Sequence, residues 1–198
     1  MRTTRTTIAV LAAATALVMT ACGSDEPTST PEPAGENGAN SADVTFATEM
    51  IQHHAQALVM VDMTQGRDLD PEVRELTETI REAQAPEIET MTGWLLEWGE
   101  DVPETSRDHA NSHGGHDTGE EEMPGMMTAE QMDSLEQADG PEFQTMWLEM
   151  MVEHHEGAVE MAETEVAQGA HPGAVDLAEQ VIQAQRAEIT TMEQLLAD

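Results

Sequence analysis

From Ser41 to Gly66 the apolar side chains recur at steps of three and four. Phe46, Met50, Ala57 and Met60 form one line, with Ala47, Ile51, Leu58 and Val61 beside it. That period predicts a helix with a wide buried stripe, and His53 and His54 fall within or beside the stripe. Ser41 or Asp43 can cap its start and Gly66 can stop it. A second helix is predicted after Asp70-Pro71, a cap followed by a first-turn Pro. Its stripe is Val73, Leu76, Ile80, Ala83, Glu87, Met91 and Trp94. Pro86 removes the backbone bond to Glu82 and predicts a kink. A third helix is expected from about Pro141 to Gly169 on Phe143, Trp147, Met150, Met151, His154, Ala158 and Met161. A fourth runs from Pro172 to Leu196 on Val175, Leu177, Val181, Ala184, Ile189, Met192 and Leu195. Between the two pairs, the capping-box signature Thr128-Ala129-Glu130-Gln131 predicts a short helix through Met132 and Leu135. Nothing alternates as a strand does.

The first and third helices are near copies, displaced by a constant 101 residues. Met50-Ile51-Gln52-His53-His54 matches Met151-Val152-Glu153-His154-His155, and Ala57 and Met60 match Ala158 and Met161. The same offset pairs Pro71 with Pro172, Gln84 with Gln185, Glu87-Ile88 with Glu188-Ile189, and Met91 with Met192. Two helix hairpins joined by a long connector predict an all-α fold, a four-helix bundle. Repeat one spans residues 43–97, the connector 98–140 and repeat two 141–198.

The ends change the picture of where the domain works. Arg2 and Arg5 precede the apolar run Ile8 to Met19, and Thr20-Ala21-Cys22 resembles a lipoprotein processing site. Residues 1–21 therefore read as a signal peptide, with a lipid expected on Cys22 and the outer face of the cell membrane as destination. Residues 22–42, rich in Pro, Ser, Thr and Gly, read as a disordered tether. The chain has no second Cys, so disulfides and thiolate metal sites are not available to it. Forty Asp and Glu stand against seven Arg and Lys, a formal net charge of −33. Such a field excludes nucleic acid as a partner and favours cations.

The candidate chemistry lies in the duplicated residues. His53 and His54 are about 100° apart on a helix, too far around for one ion to be chelated by that pair as comfortably as by a pair four residues apart. Gln84, Glu87, Gln185 and Glu188 sit among apolar residues, and a buried carboxylate needs a partner. The His of a neighbouring helix is the natural one. Two readings stay open. In one, His54 and His155 type residues and the glutamates form a structural polar network. In the other, His53, His54, His154 and His155 are metal ligands, and Glu or Gln orients their rings or joins them. Methionine favours the second: Met50, Met60, Met91, Met151, Met161 and Met192 recur in both halves, and thioether sulfur prefers Cu(I), while imidazole suits copper, zinc and iron. Met also fills irregular core gaps without any metal. The connector adds a His/Met tract, His109, His113, His116, Met123, Met126 and Met127, of the kind that captures metal loosely.

The motifs Met-Ile-x-His-His-x-x-Ala-x-x-Met in the first helix and Ala-Gln-x-x-Glu-Ile-x-x-Met in the second resemble the secreted bacterial family known as domain of unknown function 305. The run Met123-Pro-Gly-Met-Met-Thr-x-Glu-Gln-Met132 and the His154-His155 motif match it as well. The resemblance covers roughly Asp43 to Leu196. It implies a ferritin-like four-helix fold, an extracytoplasmic location and, for some members, copper binding and resistance. Carried onto this chain, the implied ligands are His53, His54, Met60, His154, His155 and Met161.

The leading expectation is a lipid-anchored copper-binding protein that buffers or relays the ion. A ferritin-like oxidoreductase is the second reading. It would use a di-iron or a copper centre, and the di-iron form lacks support in the residues, because Glu49 has no equivalent at Met150 and the second and fourth helices carry no Glu-x-x-His. The third is a metal-free envelope bundle with packing or interaction roles; under any of the three a homo-oligomer is an open expectation. No catalytic residues are identified, and no nucleophile triad or phosphate loop is present.

Overall fold

The computed structural model describes residues 32–105 and 123–197. The predicted leader, Cys22, and connector residues His109, His113 and His116 lie outside the described residues. The elements are α1 (Ser41–Asp62), α2 (Pro71–Trp98), α3 (Ala129–Gln137), α4 (Gly140–Gln168) and α5 (Pro172–Ala197). The described residues are thus all-helical, as the pattern predicted. α1 pairs with α2, α4 pairs with α5, and α1 lies against α4 to join the two hairpins.

The duplication is visible in what is buried. Val73 and Ala174, Thr77 and Ala178, Ile80 and Val181, Gln84 and Gln185, and Met91 and Met192 are buried pairs at equivalent places on α2 and α5. This corrects the predicted stripes. Gln84 and Leu95 occupy the deep positions of α2, while Ala83 and Trp94 are half-buried. On α5, Ala174, Ala178 and Gln185 take the places expected for Val175, Leu177 and Ala184. A rule that scores apolar size passes over a buried Gln and a small Ala. Both are favoured here, because the helix comes close to a polar interior.

The helix ends also differ in detail. The N-cap of α1 is Asn40, not Ser41 or Asp43. Its side chain accepts from the Ala42 and Asp43 amides, and Asp43 answers as the third helical residue of a capping box. Asn40 also donates to the Glu32 and Gln168 carbonyls, the second at the end of α4. At the other end, Trp147 Nε1–H donates to the Met60 carbonyl at 3.0 Å, one of the last carbonyls of α1. The cap-box helix α3 starts at Thr128 as expected, with the Gln131 amide bonded to the Thr128 hydroxyl. α2 runs unbroken through the exposed Pro86. Arg67 ties the two hairpins together. It donates to the carbonyls of Met63, Ala138 and Glu136, with its guanidinium 3.8 Å above the Phe143 ring.

One junction is sensitive to protons. Asp43 and Glu165 are both buried, and Asp43 accepts from the amides of Asn40, Ala170 and His171. Neither Glu165 oxygen has a donor from the protein. Burial, then the neighbouring Asp43, push the Glu165 carboxyl up to about 8, so it keeps its proton and donates a hydrogen bond to the Asp43 carboxylate. Burial alone would raise Asp43, but the Glu165 proton and the three amides hold it below the usual carboxylate range. A carboxyl raised on folding stabilises below its unfolded value, and that contribution is lost as pH rises through about 8. Thermal midpoints measured at pH 5 and pH 9 should therefore fall for the natural chain. Glu165→Gln, which cannot ionise, should flatten that fall.

Candidate metal centre

α1 and α4 bring four imidazoles into the interior, since their adjacent His pairs lie on the faces the two helices press together. His53, His54, His154 and His155 are all fully buried. The rings of His53 and His154 touch across the α1–α4 interface, with centroids 3.7 Å apart and planes at 41°. These two residues are equivalents in the duplication, so the contact marks a local two-fold axis.

The other His pair is held from the outer helices. His54 Nε2 donates to Glu87 at 2.7 Å, and His155 Nε2 donates to Glu188 at 2.8 Å. The two bonds are equivalents, although Pro86 precedes one glutamate and Ala187 the other, so the Pro does not displace the carboxylate. His53 Nε2 has a third kind of partner, the Pro124 carbonyl at 3.1 Å. Carboxylates and carbonyls only accept, so each of these Nε2 atoms carries the proton, and a neutral ring then presents a lone pair at Nδ1. The Nδ1 atoms of all four His are buried without a partner, and so is Nε2 of His154. Buried polar atoms are normally satisfied, and an imidazole whose outer N–H is held by an oxygen is how metal-ligating His is prepared.

Burial first, then repulsion from His54 and His155, lower His53 to about 3 despite the Pro124 carbonyl. Burial and the three other imidazoles likewise hold His154 well below the usual range, offset in part by the His53 main chain. Both rings are neutral, as a ligand must be.

The methionines are arranged by the same axis. Met60 packs in one apolar cluster with Met151 and Met192, while Met161 packs in the other with Met50 and Met91. Each cluster so joins one Met of one repeat with two of the other, and the two trios are equivalents. Gln84 and Gln185 are buried as well, both with an unpartnered Oε1. Among the described residues no three His, Cys, Asp or Glu side chains converge as a ligand group. Of the donors buried in the same interior, the Met thioethers are the soft ones, and imidazole with thioether suits Cu(I).

The end of the connector completes the wall, a part for which the sequence reading had only a Met-rich tract. Met127 and Gln56 exchange two hydrogen bonds, amide to Oε1 at 2.7 Å and Nε2 to carbonyl at 2.8 Å. Met127 is buried, and Met123 and Met126 are half-buried on the same segment. Beside Pro124 a cavity of about 330 Å³ is lined by Met161 and by Glu49, Glu160 and Glu165. Burial raises the Glu49 carboxyl above its ordinary value.

Several solved structures share this fold. A protein of Streptomyces coelicolor, inferred to be secreted, is 34% identical with a TM-score of 0.68, over 79% of this chain and 93% of its own. A fragment from Deinococcus radiodurans is 30% identical with a TM-score of 0.67, over 84% and 99%. Both are DUF305 proteins. CopM in its Cu(II)-bound form is 28% identical with a TM-score of 0.62, over 78% and 95%, and CopM is also known in a Cu(I)-bound form. No curated protein matches the chain in sequence. The model of the domain of unknown function DUF305 matches residues 43–196, from the capping box of α1 to the end of α5, and the chain belongs to that family.

Proposed function

We propose that this is an extracytoplasmic, lipid-anchored copper-binding protein that buffers or relays the ion through His and Met side chains. The observation that carries the reading is the buried His53–His154 contact, with unpartnered Nδ1 atoms in an interior that also holds two equivalent Met trios. His53, His54, His154 and His155 would supply nitrogen, and Met60 and Met161, with Met50, Met91, Met151 and Met192 behind them, would supply sulfur. Glu87 and Glu188 orient His54 and His155. With the imidazoles in direct contact, an ion would sit at their edges rather than between their faces.

Copper binding by CopM, which shares the fold, supports the choice of ion. The soft donor set supports copper over zinc or iron. An oxidoreductase with a di-iron centre would need converging carboxylates, and Glu87 and Glu188 are instead occupied with separate His rings. The signal-like start and Cys22 support export and lipid anchoring. No helix among the described residues is long and apolar enough to cross a membrane.

The test is a Cu(I) titration of the purified chain against a competing chelator, with stoichiometry from elemental analysis. Tight binding of a whole number of ions per chain is expected. A flat titration would leave only a helical scaffold.

A further inference from the structure

The two-fold arrangement of the interior is broken at one place. His53 Nε2 is bonded to Pro124, whereas its equivalent, His154, has no hydrogen-bond partner at either nitrogen. The cause is the stretch Met123–Thr128, which crosses the α1–α4 interface between two equivalent positions of the duplication, Gln56 and Gly157. Gln56 grips Met127 by two bonds. Gly157 leaves the space that the Pro124 carbonyl fills. A Cβ at Gly157 would overlap the Pro124 carbonyl and the Gly125 amide. The fit is tight from the other side too. Gly125 has φ +73°, and a Cβ there would meet the Glu153 carbonyl at 2.6 Å and the His154 carbonyl at 3.0 Å. Gly157 lies in a helix interior, where Ala would be the better helix former. Its lack of a side chain serves the crossing segment.

We propose that Met123–Thr128 is a strap whose docking is thermodynamically coupled to ion binding by the His53–His154 pair. Docked, the strap holds the His53 Nε2–H on the Pro124 carbonyl and fixes Nδ1 as the donor that faces the interior. Released, it frees His53 to turn or change tautomer and opens the interior to the acidic cavity beside Pro124. An ion bound through His53 Nδ1 favours the docked arrangement, so it holds the strap down to the same degree that the strap improves binding. The strap therefore belongs to the site, and its release is the step at which the ion enters or leaves.

The inference rests on the copper reading and is tested with Cu(I) on the full chain. Hydrogen exchange across Met123–Thr128 should slow at least about tenfold on Cu(I) loading. Gln56→Ala and Gly157→Ala should each speed strap exchange in the metal-free chain. Each should also weaken Cu(I) binding about tenfold with unchanged stoichiometry, the effect expected of an outer hydrogen-bond partner. Gln56→Ala removes bonds without adding bulk, so it reports even if Gly157→Ala disturbs the packing. Strap exchange indifferent to Cu(I), or Gln56→Ala binding Cu(I) as tightly as the natural chain, would overturn the coupling while leaving the copper site intact. Failure of Gln56→Ala to loosen the strap would overturn it as well. A natural chain that binds no Cu(I) would instead overturn the copper reading itself, and the coupling with it.

Discussion

The double variant His53→Ala, His154→Ala should lose at least about 100-fold in Cu(I) affinity in a chelator competition, since outer partners of a metal ligand alone account for 10–100-fold. The helices should survive. The two changes open space in the interior, but they also remove three nitrogens that are buried without partners. The pH dependence is a second signature of the same pair. A free imidazole titrating near 6.5 would surrender roughly 25-fold in neutral fraction between pH 7 and pH 5. His53, lowered to about 3 by burial, loses almost none over that range, and His154 is lowered in the same direction. The share of the affinity that rests on this pair should stay nearly level from pH 7 to pH 5, and a steep fall there would show that groups other than His53 and His154 govern binding in that range. The fold of the metal-free chain follows the same shift. For His lowered on folding, the contribution is present above about 6.5 and is lost as pH falls toward about 3.

Trp147→Ala should cost about 3–5 kcal/mol of stability, read from the denaturation midpoint. Trp147 is fully buried in the same cluster as Met60, Phe143 and Met151. Its indole also serves the end of α1. The Met63 amide bonds to the Val59 carbonyl, the Thr64 amide to Val61 and the Gln65 amide to Asp62, while the Met60 carbonyl takes the Trp147 N–H. Trp147→Phe separates the two contributions. It keeps most of the apolar volume and leaves one buried carbonyl unmet, for about 1–3 kcal/mol. Near-equal losses for Phe and Ala would mean that the hydrogen bond carries the effect, and a negligible loss for both would show that this end of the core can be repacked.

Apolar spacing was enough to locate the long helices, because α1 and α4 each bury a long stripe rich in large side chains and α2 and α5 keep the same helical period. It was poorer at the depth of α2 and α5. The residues nearest the axis there, Gln84 and Gln185, are polar, and Ala174 and Ala178 are small. That Glu87 and Glu188 would each take a His of the neighbouring helix as partner could be anticipated from the cost of burying a carboxylate, but not that the partners are His54 and His155. The fixed offset said that both bonds must form or neither. What could not be foreseen was which of the adjacent His would meet its equivalent. Helical spacing places both in the stripe, and the choice of His53 with His154 depends on how α1 and α4 are rotated against each other. The shared proton of Asp43 and Glu165 and the docking of Pro124 on His53 both join distant segments, where local rules carry no information. The best clue to the last was Gly157, a helix-interior glycine standing where the first repeat has Gln56.

The contact between His53 and His154 has a bearing on origin. Before duplication, a single hairpin would have met a second copy of itself, and the same residue from each copy would have touched across a true dyad. Fusion into one chain made the two halves free to diverge. Only then could one keep a gripping amide and the other shed its side chain, giving a symmetric ancestor one distinguishable face.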